Sequence, residues 1–311
     1  MRTPNLTRYA WLSIAAAVAT IVLKTAAYVL TGSVGLFSDA VESIVNLVGA
    51  VMALSMLIVA SRPADEDHTY GHSKAEYFSS GVEGTLILVA ALSIAVAAAR
   101  RLMAPQMPEQ VSIGLAVSAL ASVVNLAVGA VLLRQGRRHH SITLEANAQH
   151  LFTDVWTSVG VIAAVAAVAG TGWLRLDPIV ALLVAANILW TGTRIVRRSI
   201  LGLMDTALPP EELVAVKAAL DSHLNDGIEY HALRTRQSGA RRFVSLHVLV
   251  PGEWTVHRGH ELLEDLEARI RAVVPNVTVF THLESLDDPS SWDDQHLDRS
   301  EPPPRVDDPV R

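Results

Sequence analysis

Up to about Leu201 the chain is a succession of apolar runs: Tyr9–Leu30, Leu36–Ala60, Tyr77–Ala99, Val111–Leu133, Gln149–Ala169 and Pro178–Val196. Each approaches the ~20 residues a helix needs to cross a bilayer. Half of the 311 residues are hydrophobic and only 18% are charged. That balance is too apolar for an ordinary soluble protein, and the length suffices for a membrane domain plus a small soluble one. The first run has a basic start and the small residues Ala17-Val18-Ala19 of a cleavable signal. It continues past Lys24, beyond the roughly 7–15 residues of a signal core, and so predicts a retained span.

Two of the runs carry polar residues that need explaining. His150 and Asp154 are spaced i, i+4, so a helix projects both from one face. Glu42 and Asn46 repeat that spacing in the second run. An ionisable residue inside a span is costly and normally faces a bundle interior or a water-filled path. Two such pairs on two helices predict a four-ligand cage for an ion. Glu83, in the third run, is a further intramembrane charge with no assigned role, and Asn125 reads as helix packing.

Lys and Arg in short loops set orientation. Arg2, Arg8, Arg62, Lys74, Arg134, Arg137, Arg138, Arg194, Arg197 and Arg198 fall on one side, which predicts cytoplasmic termini. Arg175 and the pair Arg100-Arg101 fall on the other and count against it. Asp177-Pro178 predicts the start of the last span, with Asp177 as its N-cap and proline at the first helical position.

After Leu208-Pro209-Pro210 the composition changes. A helix is predicted over Glu211–Leu224, strands over Ile228–Gln237 and Arg242–Val250 around Ser238-Gly239, a charged amphipathic helix over Val256–Val274, and a strand over Val277–Glu284. The expected architecture is a six-helix transmembrane bundle, residues 1–208, with a small α-β-β-α-β domain of the α+β class, metallochaperone-like, over 209–287. The acidic, proline-rich residues 288–311 have little to bury and are expected to be disordered.

Net charge is −6 and cysteine is absent. Nothing points to nucleic acid. Thiolate ligands and disulfides are excluded, and the lack of thiols argues against sites for soft Cu(I). Asp65, His68 and His72, in the loop after the second run, have spacings compatible with a metal site. In the soluble domain His231, His247, His260 and His282 fall on strands or near a helix start, and alternation puts His282 and Glu284 on one strand face. For each group the plain alternative is a solvated loop or surface histidine.

Several motifs together carry a family resemblance. They are Gly32-Ser33-Val34 with Asp39-Ala40-Val41-Glu42-Ser43; Arg62-Pro63-Ala64-Asp65 through Tyr70-Gly71-His72-Ser73-Lys74-Ala75-Glu76; His150-Leu151-Phe152-Thr153-Asp154; Asp177-Pro178; and Leu233-Arg234-Thr235-Arg236-Gln237-Ser238-Gly239. With them the chain resembles the cation diffusion facilitators, closest to the bacterial ferrous-iron and zinc efflux branch. The resemblance implies six spans, a homodimer in the bacterial inner membrane, and export of a divalent metal in exchange for protons. It implies a transport site at Glu42, Asn46, His150 and Asp154. Asn46 departs from the usual ligand there, so it either ligates through its neutral oxygen or hydrogen-bonds a ligand. Asp39 then stands as a substitute ligand or an entry residue. The resemblance also implies a weaker site at Asp65, His68 and His72, a binuclear regulatory site at His231, His247, His260, His282 and Glu284, and a Lys74–Asp205 charge interlock near the dimer axis.

An imidazole ligates only when neutral, and its unperturbed pKa of about 6.5 makes proton competition natural. Three oxygens and one imidazole suit Zn2+, Fe2+, Co2+ or Mn2+, with Zn2+ ranked first by family frequency. An enzyme is not expected, since no His-Glu-x-x-His helix or general base beside an open metal site stands out. A membrane-anchored metal sensor would explain the cytoplasmic histidines, but not polar pairs within two spans.

Overall fold

A computed structural model describes residues 6–31, 34–104, 112–222 and 227–293. Within its helices the side chains of residues 30, 31, 34–42, 45, 112–115, 161, 165, 166 and 169 lie outside the description. The chain divides into two compact units, Met1–Met204 and Asp205–Arg311.

The first unit holds α1 (Thr7–Thr31), α2 (Val34–Ala60), α3 (Ala75–Met103), α4 (Ser112–His139), α5 (Ile142–Thr171) and α6 (Leu176–Leu203). Among the described residues, four of these helices, α1, α3, α4 and α6, are long and apolar enough to cross a membrane. In α2 the apolar segment found is shorter, Asn46–Ala60. Helix α5 carries Glu145, Asn147, His150 and Asp154 in its first half. Large apolar side chains such as Val29, Phe78, Leu92, Val123, Trp156 and Trp190 are exposed on the helices. An apolar exterior of this kind suits lipid rather than water.

Helix α5 begins seven residues before the apolar run starts. The Ser141 side chain accepts the Leu144 amide and caps it, and its polar first turns are satisfied inside the bundle. At α6 the expected cap is corrected. The N-cap is Arg175, with no side-chain cap bond, and Asp177 lies in the first turn. Asp177 instead accepts Arg101 Nη1 at 3.2 Å. An acid in a first turn is already favoured by the helix dipole. The same pair gives Arg101, one of the two arginines that fit the orientation rule poorly, a fixed partner.

Helices α3 and α6 pack closely because glycines let them. A Cβ on Gly84 would meet Val196 Cγ2 at 2.8 Å and the Val196 backbone nitrogen at 3.1 Å, while one on Gly202 would collide with the Tyr77 ring. Between membrane helices, where lipid is as apolar as leucine, such close approach supplies the dispersion contacts. The other helices share a cluster of Ala10, Leu54, Leu57, Leu132, Leu144, Ala148 and Leu151.

The second unit comprises α7 (Pro210–Asp221), β1 (Glu229–Ser238), β2 (Arg241–Val250), α8 (Val256–Val273) and β3 (Val277–Ser285), in the predicted order. The sheet runs β1-β2-β3. Strands β1 and β2 are antiparallel across a tight turn at Gly239, whose φ of 57° favours glycine. Strands β2 and β3 are parallel, with α8 as the crossover. Val216, Leu220, Val244, Leu246, Val248, Leu266 and Ile270 form the core. Helix α7 is also tied to the sheet by a two-pronged pair, Arg242 Nε to Glu212 Oε2 at 2.7 Å and Nη2 to Oε1 at 3.1 Å. The chain beyond β3 is not wholly irregular. Pro289–Trp292 forms a 3-10 turn, capped by Asp288 accepting the Ser290 amide. That amide holds the Asp288 carboxyl below its usual range. Residues 294–311 of the expected disordered tail lie outside the described residues.

Gly84→Leu is expected to lower the melting temperature of the detergent-purified protein by several degrees, since overpacking costs about 1–3 kcal/mol. Gly170→Ala, which adds a Cβ with nothing within 4 Å, is expected not to lower it. Equal melting curves for Gly84→Leu and the parent would refute close packing of α3 on α6.

Candidate transport and metal-binding sites

Helix α5 stacks His150 and Asp154 one turn apart, and both are buried. Helix α2 brings Asn46 against them. The Asn46 amide nitrogen donates to Asp154 Oδ2. Its amide oxygen lies 2.6 Å from His150 Nε2. A carbonyl oxygen can only accept, so Nε2 carries the hydrogen and Nδ1 holds the lone pair. Helix α4 adds Asn125, whose Nδ2 donates to the same Asp154 oxygen at 3.0 Å.

Asn46 therefore bridges the histidine and the carboxylate. Two amide donors converge on one buried carboxylate oxygen, each hydrogen bond to a charged group worth about 1.5–3 kcal/mol. His150 Nδ1 and Asn125 Oδ1 are buried and have no partner among the described residues. Both are electron-pair donors of the kind a divalent cation takes. Glu42 and Asp39 lie on α2, one and two turns before Asn46, but their side chains fall outside the described residues.

The α2–α3 loop gathers its three predicted residues. His68 Nδ1 lies 3.2 Å from Asp65 Oδ1, and His72 Nε2 lies 3.3 Å from Asp65 Oδ2. The His68 backbone amide also donates to Asp65 Oδ1 at 2.7 Å, and chiefly for that reason the carboxyl is held below its usual range. One ligand atom from each of the three residues falls within 4.8 Å of the others.

In the second unit strand register makes the site. His231 pairs with His247 across β1–β2, and His247 with His282 across β2–β3, so three imidazoles form a row. Just after His231 the register shifts, and Ala232 has a φ of 53°. That bulge changes which β1 residues face the row. Glu284, two residues past His282 on β3, is hydrogen-bonded to His231 Nε2 at 2.9 Å, with His247 Nδ1 3.1 Å and His282 Nε2 3.8 Å away. The Trp292 ring, from the 3-10 turn, meets His231 edge-on with centroids 5.8 Å apart. His231, His247 and Glu284 are placed to share an ion, and His282 stands beside them. His260 is exposed on α8 and lies outside that group. Lys74 Nζ donates to the Leu203 carbonyl at 3.3 Å within the first unit. Asp205 pairs with Arg236 at 3.2 Å within the second.

Sequence reasoning missed Asn125 as a partner of Asp154, and missed two further polar networks. Asn147 Nδ2 donates to Glu83 Oε1 at 2.9 Å, and Ser13 Oγ donates to Asn147 Oδ1 at 2.6 Å. Glu76 accepts Ser141 Oγ and the Thr143 amide at the start of α5. The signal for Asn147 was its place one turn before His150 on the same helix face.

Apolar helices around a buried histidine and carboxylate, with two further carboxylate–histidine groups in the loop and the sheet, define a multi-pass membrane protein built to handle metal cations. The cation efflux transmembrane domain family matches residues 10–204, and the cation efflux protein cytoplasmic domain family matches 208–286. An uncharacterized transporter of Synechocystis, sll1263, is 51% identical over 294 residues, covering 94% of each chain. The cation-efflux pump FieF of Serratia proteamaculans is 30% identical over 263 residues, covering 84% of this chain and 87% of the relative. FieF of Klebsiella pneumoniae is 29% identical over 278 residues, covering 89% and 90%. The chain belongs to the cation diffusion facilitator family of cation-efflux transporters.

Replacing His247 and His282 together by alanine is expected to remove most of the metal bound by the cytoplasmic unit of the full-length protein. Equilibrium dialysis against Zn2+ measures it. An unchanged count of bound ions per protomer would make these ordinary surface histidines.

Proposed function

We propose that the protein exports a divalent metal cation from the cytoplasm in exchange for protons, working as a homodimer in a bacterial inner membrane with all six helices of the first unit crossing. Zn2+ ranks first as cargo, then Fe2+ and Mn2+, with Co2+ also suited to the donor set. The observation that carries the reading is the buried meeting of His150, Asn46, Asp154 and Asn125 within long apolar helices. Polar groups held at that depth on three helices are the expected trace of an ion pathway. The names of the FieF relatives support efflux as the direction.

Asn46 acts first as a clamp. Its amide holds the imidazole and carboxylate in register before the cation arrives. On loading, Asp154 exchanges two amide hydrogens for the cation, and the Asn46 oxygen is free to turn toward it as a neutral ligand. Glu42 completes the donor set from α2. Protons compete for the same imidazole and carboxylates, so outward opening followed by protonation expels the metal. A bundle left with uncompensated carboxylates would be costly to return, and this couples proton entry to metal exit.

A membrane-anchored sensor without transport is the second reading, favoured by the His231–His247–Glu284 group. Metal flux in proteoliposomes separates the two. Asp154→Ala is expected to abolish Zn2+ flux while leaving the dimer intact, with a lowered melting temperature from the loss of the two amide bonds, and undiminished flux in the purified variant would remove the site assignment. Asn46→Asp is expected to reorder the preference among Zn2+, Fe2+, Mn2+ and Co2+. An unchanged order would place Asn46 outside the set of ligands.

A further inference from the structure

Glu83 is a fully buried carboxyl group in α3 that the proposed transport site does not use. One oxygen accepts a single hydrogen bond, from Asn147 Nδ2 at 2.9 Å. The other, Oε2, is buried without a partner among the described residues. Glu76, two turns earlier in the same helix, is supplied with more donors. Glu76 accepts a hydroxyl and a backbone amide at the N-terminus of α5, where the dipole favours negative charge. Glu83 has no such set of donors. A carboxylate buried at this depth with one donor is far costlier than the neutral acid. The second oxygen is therefore the place of a proton.

The position of that proton is informative. Asn147 precedes His150 by three residues on α5, and Gly49, whose Cβ would lie 3.9 Å from Glu83 Cγ, follows Asn46 by three on α2. At about 1.5 Å of rise per residue, Glu83 faces the same two helices roughly 5 Å along the axis from the transport site. Ser13 on α1 closes the network through Asn147. We propose that Glu83 is a second proton carrier of the transporter. It holds a proton while the transport site is empty of metal and releases it when a divalent cation binds one turn away. This rests on the metal–proton reading above and adds a proton-bearing group to it.

The step is a plain acid dissociation. The O–H bond of Glu83 breaks, the proton leaves to water, and the electron pair stays on the carboxylate, whose charge the nearby dication offsets. The reverse holds for metal release: a proton returning to Glu83 removes that offset and weakens cation binding. Other titratable groups border the residue. His150 lies one turn beyond Asn147 on α5 and Glu145 lies before it, the latter paired with Arg198 of α6. Glu76 lies two turns earlier on α3, and Tyr9 lies one turn before Ser13 on α1. The described side chains of α2 from Asn46 to Ala60 include no titratable group. Glu83 is distinguished from these by its unpartnered buried oxygen.

The test uses the full-length protein in detergent and counts protons released on adding Zn2+, with a pH-sensitive dye in weak buffer. Glu83→Gln keeps the shape and the bond from Asn147 but carries no exchangeable acid. It is expected to bind the same number of Zn2+ ions while releasing about one proton fewer per protomer, with a correspondingly shallower rise of affinity with pH. Glu145→Gln, which removes a carboxylate paired with Arg198, is the control and is expected to leave the proton count unchanged. Infrared difference spectra of the unmutated protein give a reading that does not depend on a variant folding. Zn2+ is expected to remove a protonated-carboxyl stretch, and that band is absent from Glu83→Gln. An unchanged proton count in Glu83→Gln, or no loss of a protonated carboxyl in the parent, overturns the proposal. So does loss of a bound Zn2+ in Glu83→Gln, which would make Glu83 a cation ligand. Failure of the parent to bind or transport any divalent metal would instead overturn the transport reading itself.

Discussion

The membrane unit is arranged around one buried carboxyl group. Asp154 sits among apolar helices where water cannot satisfy its oxygens, so the protein supplies donors from its own chain. They come from α2 through Asn46 and from α4 through Asn125, onto a carboxylate carried by α5. Three helices are thereby fixed in rotation as well as in distance, since a helix turned by one residue would aim its amide into lipid. The surrounding leucines fill space, but they discriminate rotations poorly when lipid is equally apolar. In this solvent the polar contacts specify and the apolar ones accommodate.

A second device joins α3 and α6. Glycine and serine replace bulky side chains along their contact, and Gly84 and Gly202 admit the partner's atoms where any side chain would block them. The bundle can thus be seen as a pair held by small residues beside a group of four held by amides and leucines. Polar bridges link the two: Glu145 to Arg198 and Glu83 to Asn147. A motion that separates the pair from the group must break or carry those bridges. The buried Glu83 lies on that boundary.

Much of this could be read from sequence, and the failures have physical causes. The length of the apolar runs located the helices of the first unit, and the i, i+4 spacing singled out His150 with Asp154. The start of α5 was misplaced because hydropathy registers polar residues as an end, whereas Thr143, Glu145 and Asn147 continue the helix with partners from other helices. Asp177 looked like a cap because its immediate sequence is that of one. Its role is decided by Arg101, 76 residues away. Asn125 stood alone in an apolar run, and nothing local to α4 says that it meets Asp154. The β-strand histidines were located correctly, but their common row depends on register, and the turn ending at Trp292 was hidden by a composition that reads as tail.

The same few side-chain types take different roles according to solvent. In the α2–α3 loop Asp65 is in water and stays ionised with help from one backbone amide. In the cytoplasmic sheet Glu284 stands beside three imidazoles and is hydrogen-bonded to one of them, His231. In the bundle Asp154 is held by amides, which donate hydrogen without carrying charge. That last choice follows from the task of a carrier. A lysine or arginine in place of Asn46 would satisfy the carboxylate better and would leave no room, electrostatically, for a dication. An amide stabilises the empty site moderately, gives way when the cation arrives, and can turn its own oxygen toward it. The asparagine that departs from the expected ligand pattern is therefore suited to a site that must be emptied and filled in every cycle.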